Sequence, residues 1–135
     1  MQKLSEQTNV INWFEIPVSD SARARKFYEN ILDIKMETRI IEETKEEITF
    51  FPSVPGVIAA TSGRVSGVLV KNKRSKPSKE GTLVYLNASP SIQTVIDRIE
   101  NAGGKILVPK TTAMYGCFSV FVDTEGNRVA IHAEA

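Results

Sequence analysis

The chain has 135 residues, enough for one domain with a sizeable core and no need of disulfides or a structural metal. Its 17 basic and 16 acidic side chains leave a net charge of +1, which offers no electrostatic attraction to nucleic acid or to an anionic membrane. The single cysteine, Cys117, excludes an internal disulfide framework and a cysteine-rich zinc site.

In chain order, residues 1–7 lack the apolar run of a signal peptide, and no stretch approaches the ~18 apolar residues of a membrane span, which predicts a soluble, cytoplasmic protein. Residues 10–18 are rich in β-branched and aromatic side chains and read as a buried strand. Ser19 or Asp20 then caps a helix that places Ala24, Phe27, Tyr28 and Ile31 on one face and Arg23, Arg25, Lys26 and Glu29 towards water. Residues 35–41 and 47–51 read as the arms of a hairpin, and residues 65–71 as the strand that closes the first unit. Residues 72–81 (Asn-Lys-Arg-Ser-Lys-Pro-Ser-Lys-Glu-Gly) are polar, carry Pro77 and have no apolar anchor; they read as a solvated linker rather than a basic patch.

The second unit repeats the grammar of the first. A strand from Thr82 runs into a cap at Ser89, with Pro90 at the first helical position and Ile92, Val95, Ile96 and Ile99 as the buried stripe. Gly103 and Gly104 end that helix. Residues 105–108 and 117–122 read as strands, Asp123-Thr124-Glu125-Gly126-Asn127 as a tight turn, and residues 129–132 as the last strand. The pattern is βαβββ used twice, over residues 10–71 and 82–133 of a single domain spanning 1–135. Half-domains of about 60 residues are marginal alone, so the two are expected to share one core, with a cleft between them.

Val18-Ser19-Asp20 followed by Phe27-Tyr28, the helix end Glu100-Asn101-Ala102-Gly103-Gly104-Lys105, and Asp123-Thr124-Glu125-Gly126-Asn127 before the last strand resemble, in order and spacing, the vicinal oxygen chelate superfamily. That superfamily holds glyoxalase I, bleomycin-resistance proteins and extradiol dioxygenases. The resemblance implies an α+β fold of two βαβββ repeats, whose curved mixed sheets surround a central cavity with helices outside, and a homodimer. It also implies a divalent metal on the concave face, held by His, Gln or Glu and acting as a Lewis acid.

The family's first ligand stands seven residues before the strand-ending aspartate, which here is Trp13, and its last stands three after the turn asparagine, which here is Ala130. The second-repeat position is Val84 or Thr82, as Ser91 or Ser89 is matched to the aspartate. Residues 65–71, which should supply the fourth, contain no His, Glu, Asp or Gln. The chain has one histidine, His132, where familiar transition-metal sites want two or more N or S donors plus carboxylates.

Side chains two apart share a strand face, so Glu15 lies with Trp13 and His132 with Ala130. Glu15 and His132 are then a solvated rim residue and a strand end, or polar fixers in an apolar pocket, or a relocated metal or acid–base pair. Trp13 either fills core space left by absent ligands or offers a flat stacking face. Tyr115 covers a strand end or closes over a ligand, and Cys117, with no histidine near it in sequence, reads as an inert buried thiol. The expectation is a metal-free small-molecule-binding protein of the glyoxalase/bleomycin-resistance type, without cofactor, with ligand-binding residues Trp13, Glu15, Val84, Tyr115, Ala130 and His132. Its alternative is a metal-dependent lyase, isomerase or dioxygenase whose relocated site uses Glu15 and His132. A ten-residue linker reaches about 15–20 Å and permits a cavity within one chain or across a swapped dimer.

Overall fold

Main-chain partners decide where the first strand begins. In the computed structural model, which describes residues 4–135, β1 is Trp13–Pro17, because its parallel neighbour β4 (Ser66–Lys71) starts opposite Trp13. Val10 and Ile11, expected within the strand, lie outside the sheet and exposed. β2 (Glu37–Ile40) and β3 (Glu47–Phe50) form the predicted antiparallel hairpin, and β3 joins β4 to give the order β1-β4-β3-β2. The second repeat builds the same mixed sheet from β5 (Tyr85–Asn87), β6 (Lys105–Ala113), β7 (Gly116–Val122) and β8 (Arg128–Ala133), in the order β5-β8-β7-β6. The fold is α+β with two βαβββ repeats. β6 runs five residues beyond its predicted end at Val108, and two register shifts, between Ile106 and Val108 and between Val108 and Thr111, carry it past Pro109.

α1 (Ser21–Leu32) starts as expected: Asp20 is extended and its carboxylate accepts the Arg23 amide at 3.0 Å. Its buried face is Ser21, Ala24, Phe27, Tyr28 and Ile31. α2 is Ile92–Ile99, with Ser91 rather than Ser89 at the cap position and Pro90 outside the helix. Ser91 makes no side-chain cap; the Ile92 amide donates instead to the Ala135 carbonyl at 3.0 Å. The loop explains the shift. Val18 donates to the Val70 carbonyl as Ala88 does to that of His132, yet one residue separates Val18 from its cap and two separate Ala88 from Ser91. Both helices lie on one side of the sheets over a shared core that includes Ile16, Phe27, Ile31 and Leu69 from the first repeat and Leu86, Ile99, Phe121 and Ile131 from the second. Phe27 reaches across to Phe121, ring centroids 5.8 Å apart. No helix among the described residues is long and apolar enough to cross a membrane.

The turn between β7 and β8 fastens the two repeats. Asp123 is buried and accepts from four donors: the Tyr28 hydroxyl (2.6 Å), the amides of Glu125 and Asn127 (both 2.9 Å) and Asn127 Nδ2 (3.1 Å). Asn127 Nδ2 also donates to the Pro17 carbonyl at 2.6 Å, and its Oδ1 accepts the Ser78 amide at 3.0 Å. Glu125 takes the amides of Ser19 and Asp20 (2.8 Å each) and the Arg23 guanidinium (2.7 and 3.1 Å), capping the positive end of α1 from the other repeat. Burial, then the neighbouring Asp123 carboxylate, push the Tyr28 hydroxyl well above its ordinary pKa, so it stays a donor. Partial burial raises the Glu125 pKa, but Arg23 and the Asp20 and Ser19 amides outweigh it and hold the carboxyl below its ordinary value. The linker is tied down as well: besides the Ser78 bond, Asn72 Nδ2 donates to Glu46 at 3.1 Å and Arg128 donates to the Gly81 carbonyl at 2.8 Å.

Asn127→Ala takes a donor from the half-buried Pro17 carbonyl and another from buried Asp123, and is expected to cost about 2–3 kcal/mol by urea unfolding. A carboxyl whose folded pKa is depressed stabilises above its unfolded pKa and loses that contribution as pH falls through the folded value. Unfolding free energy should therefore drop between about pH 5 and pH 3, and Glu125→Gln should start lower at neutral pH and drop less across that window.

Candidate functional site

Alternation along β1 sorts its side chains. Phe14 and Ile16 pack against the core, which turns Trp13 and Glu15 to the opposite face of the sheet. There they line an open groove of about 770 Å³ between the repeats. The facing wall is residues 82–85, and the linker contributes Lys76, Ser78 and Glu80, with Arg128 beside them. The linker is thus a wall of the groove rather than a free connector. Trp13 is 47% exposed and lines the groove, outside the core. Val84 also lines the groove, but its side chain packs against the core beneath.

A second hollow, of about 440 Å³, opens on the same face of the second sheet and shares Tyr85 with the groove. Asn87, Tyr115 and His132 line it. His132 Nε2 donates to the Tyr115 carbonyl at 2.6 Å, and the two rings lie 6.1 Å apart at 27°. Gly116, next to Tyr115, has φ +117° and lies so close that a Cβ there would meet His132 Nε2 at 2.9 Å. Phe118, opposite His132 in the register, completes an aromatic cluster with Tyr115 and Tyr85, each 6.5 Å away. Phe118 and Asn87 were not singled out from the sequence. Alternation was the available signal: with Cys117, Ser119 and Phe121 on one face, Phe118 must lie on the other.

Glu15 lines the groove and His132 the adjoining hollow. Ala130 is fully buried, on the same face as Tyr85, its partner in the register. Cys117 is buried in the core, 3.8 Å from the Thr112 hydroxyl.

Main-chain bonding also fixes which residues occupy the ligand positions that the resemblance implies. Trp13 stands five before Val18, so its counterpart stands five before Ala88 and is Leu83, not Val84 or Thr82. Ala130 stands two before His132, so its counterpart stands two before Val70 and is Val68. An indole and three aliphatic side chains, with Val68 and Ala130 buried, do not fit a divalent cation. Among the described residues no three His, Cys, Asp or Glu side chains are placed so that they could hold a metal ion.

The sequence matches the model of the Glyoxalase/Bleomycin resistance protein/Dioxygenase superfamily over residues 10–131, and the chain belongs to that superfamily. No curated protein matches it. Among solved structures, a glyoxalase I mutant from Zea mays is 20% identical with a TM-score of 0.68, over 90% of this chain and 46% of that one. This chain therefore spans less than half of the maize chain's length. The trypanothione-dependent glyoxalase I of Leishmania major is 17% identical (TM-score 0.66, 93% and 87% covered), and the antibiotic-binding protein TnmS3 from Streptomyces sp. CB03234 is 18% identical (TM-score 0.61, 94% and 97% covered). At these identities the likeness is one of fold.

A half-exposed tryptophan contributes little to folding. Trp13→Ala is expected to cost less than about 1.5 kcal/mol in thermal or urea unfolding, where truncating a core tryptophan costs about 3–5 kcal/mol.

Proposed function

We propose that this chain is a metal-free small-molecule-binding protein of the glyoxalase/bleomycin-resistance type, a cytoplasmic homodimer that holds its ligand in the groove between the repeats. One observation carries the reading: the first ligand position of the family is Trp13, half-exposed, in an open groove lined from both repeats. An indole there cannot coordinate a cation, but it stacks on a flat or cationic ligand for about 1 kcal/mol beyond the area buried. The groove's volume suits a drug-sized molecule. Glu15, on the same face, supplies one polar contact that orients the ligand, and Lys76 of the linker and Arg128 beside it supply others. The fold shared with TnmS3, an antibiotic-binding protein, agrees with a binding role. The alternative, a metal-dependent lyase, isomerase or dioxygenase, would use Glu15 and His132, which line adjoining hollows that share Tyr85.

Elemental analysis of untagged protein incubated with zinc, nickel, manganese or iron(II) is expected to find well under one metal per chain. The emission of Trp13, the only tryptophan, is expected to shift and quench on titration with planar aromatic ligands. Stoichiometric metal that disappears with Glu15→Ala or His132→Ala would overturn the proposal, as would a panel of aromatic ligands that leaves Trp13 emission unchanged.

A further inference from the structure

We infer a second binding site beside the groove, one that does not rest on the groove's proposed role: the hollow of Tyr85, Leu86, Asn87, Tyr115 and His132, with Phe118 packed against its two tyrosines, takes a planar, uncharged heteroaromatic ring through a lactam-type edge. The walls are aromatic. Tyr115 lies nearly parallel to Phe118 (24°) and His132 (27°), Tyr85 stands across Phe118 at 64°, and both tyrosines are about half exposed. Rings so placed present π faces to a flat guest and bury more area when one arrives. No Asp, Glu, Lys or Arg lines the hollow, so an ionic guest would shed water with no opposite charge to meet it.

The edge chemistry follows from the hydrogen bonds already spent. A carbonyl only accepts, so His132 Nε2 carries the proton it gives to Tyr115, and in the neutral ring Nδ1 is left as an acceptor. Asn87 Oδ1 accepts the Ser89 amide at 2.9 Å, which leaves its Nδ2 protons without a partner among the described residues. Asn87 and His132 are opposed in the register of β5 and β8, so a donor and an acceptor stand side by side at the rim. A cyclic amide, with its C=O beside its N–H, supplies the complementary acceptor and donor on one rigid edge, and the hollow's 440 Å³ accommodates a bicyclic ring.

The test uses 2-quinolone and its N-methyl derivative, titrated by calorimetry and by amide chemical-shift mapping on the full chain. Binding of 2-quinolone is expected, with shifts centred on Asn87, Phe118 and His132. N-methylation, Tyr115→Ala and Asn87→Asp should each weaken it about tenfold or more, roughly the worth of one good aromatic or hydrogen-bonding contact. Asn87→Asp keeps the acceptor for Ser89 and puts a charged acceptor where the donor stood. Tyr115→Ala changes a half-exposed side chain, and thermal melts establish that both variants fold. The inference is overturned if 2-quinolone fails to bind at millimolar concentration, if the N-methyl compound binds equally well, if folded variants bind unchanged, or if the shifts centre on Trp13 and Glu15. The last outcome would leave the groove proposal standing. Trp13 emission that responds to no aromatic ligand, with shifts still at His132, would do the reverse.

Discussion

Asp123 is a buried carboxylate with four donors around it, and the joint between the two repeats hangs on that arrangement. Each βαβββ unit has too little interior to be stable alone, so the fold requires a joint with direction as well as apolar area. The β7–β8 turn provides the direction. Asp123 takes the Tyr28 hydroxyl of α1, Asn127 takes the end of β1 through the Pro17 carbonyl and the linker through Ser78, and Glu125 takes the start of α1. Buried polar networks of this kind are costly when incomplete and specific when complete. This one fixes where β1 lies relative to the second repeat.

The groove follows from that placement. With the end of β1 held against the β7–β8 turn, Trp13 and Glu15 face residues 82–85 across open space, and the linker closes the side. Where a divalent cation would need hard or imidazole donors, the four equivalent positions hold Trp13, Leu83, Val68 and Ala130. Aliphatic side chains at three of them, two fully or nearly fully buried, turn a coordination site into a surface that favours stacking and apolar contact. The superfamily's frame is kept, and these four positions carry no donor for a cation.

Much of this was legible in the sequence because periodicity encodes it. Ala24, Phe27, Tyr28 and Ile31 fall on one helical face, and all four are buried. The second cap was misplaced because the loop after β5 holds one more residue than the loop after β1, a difference that only strand bonding reveals. The same residue decides between Leu83 and Val84. β6 was cut short at Pro109, where a bulged register lets the strand continue. The inter-repeat clasp was read as turn chemistry alone, since its partners lie about a hundred positions away in sequence. Phe118 carries no signal in the sequence beyond alternation: Cys117 and Phe121 belong to the core face of β7, and Phe118 lies on the other face, with the aromatic cluster.

The most direct measurement is a crystal structure of the protein grown with zinc and a planar aromatic ligand together, with anomalous data collected at the zinc edge. The account predicts the ligand stacked on Trp13 between β1 and β5, and no anomalous peak on the concave face. A zinc ion bound there by Glu15 or His132, with the ligand's oxygens completing its coordination, would contradict it.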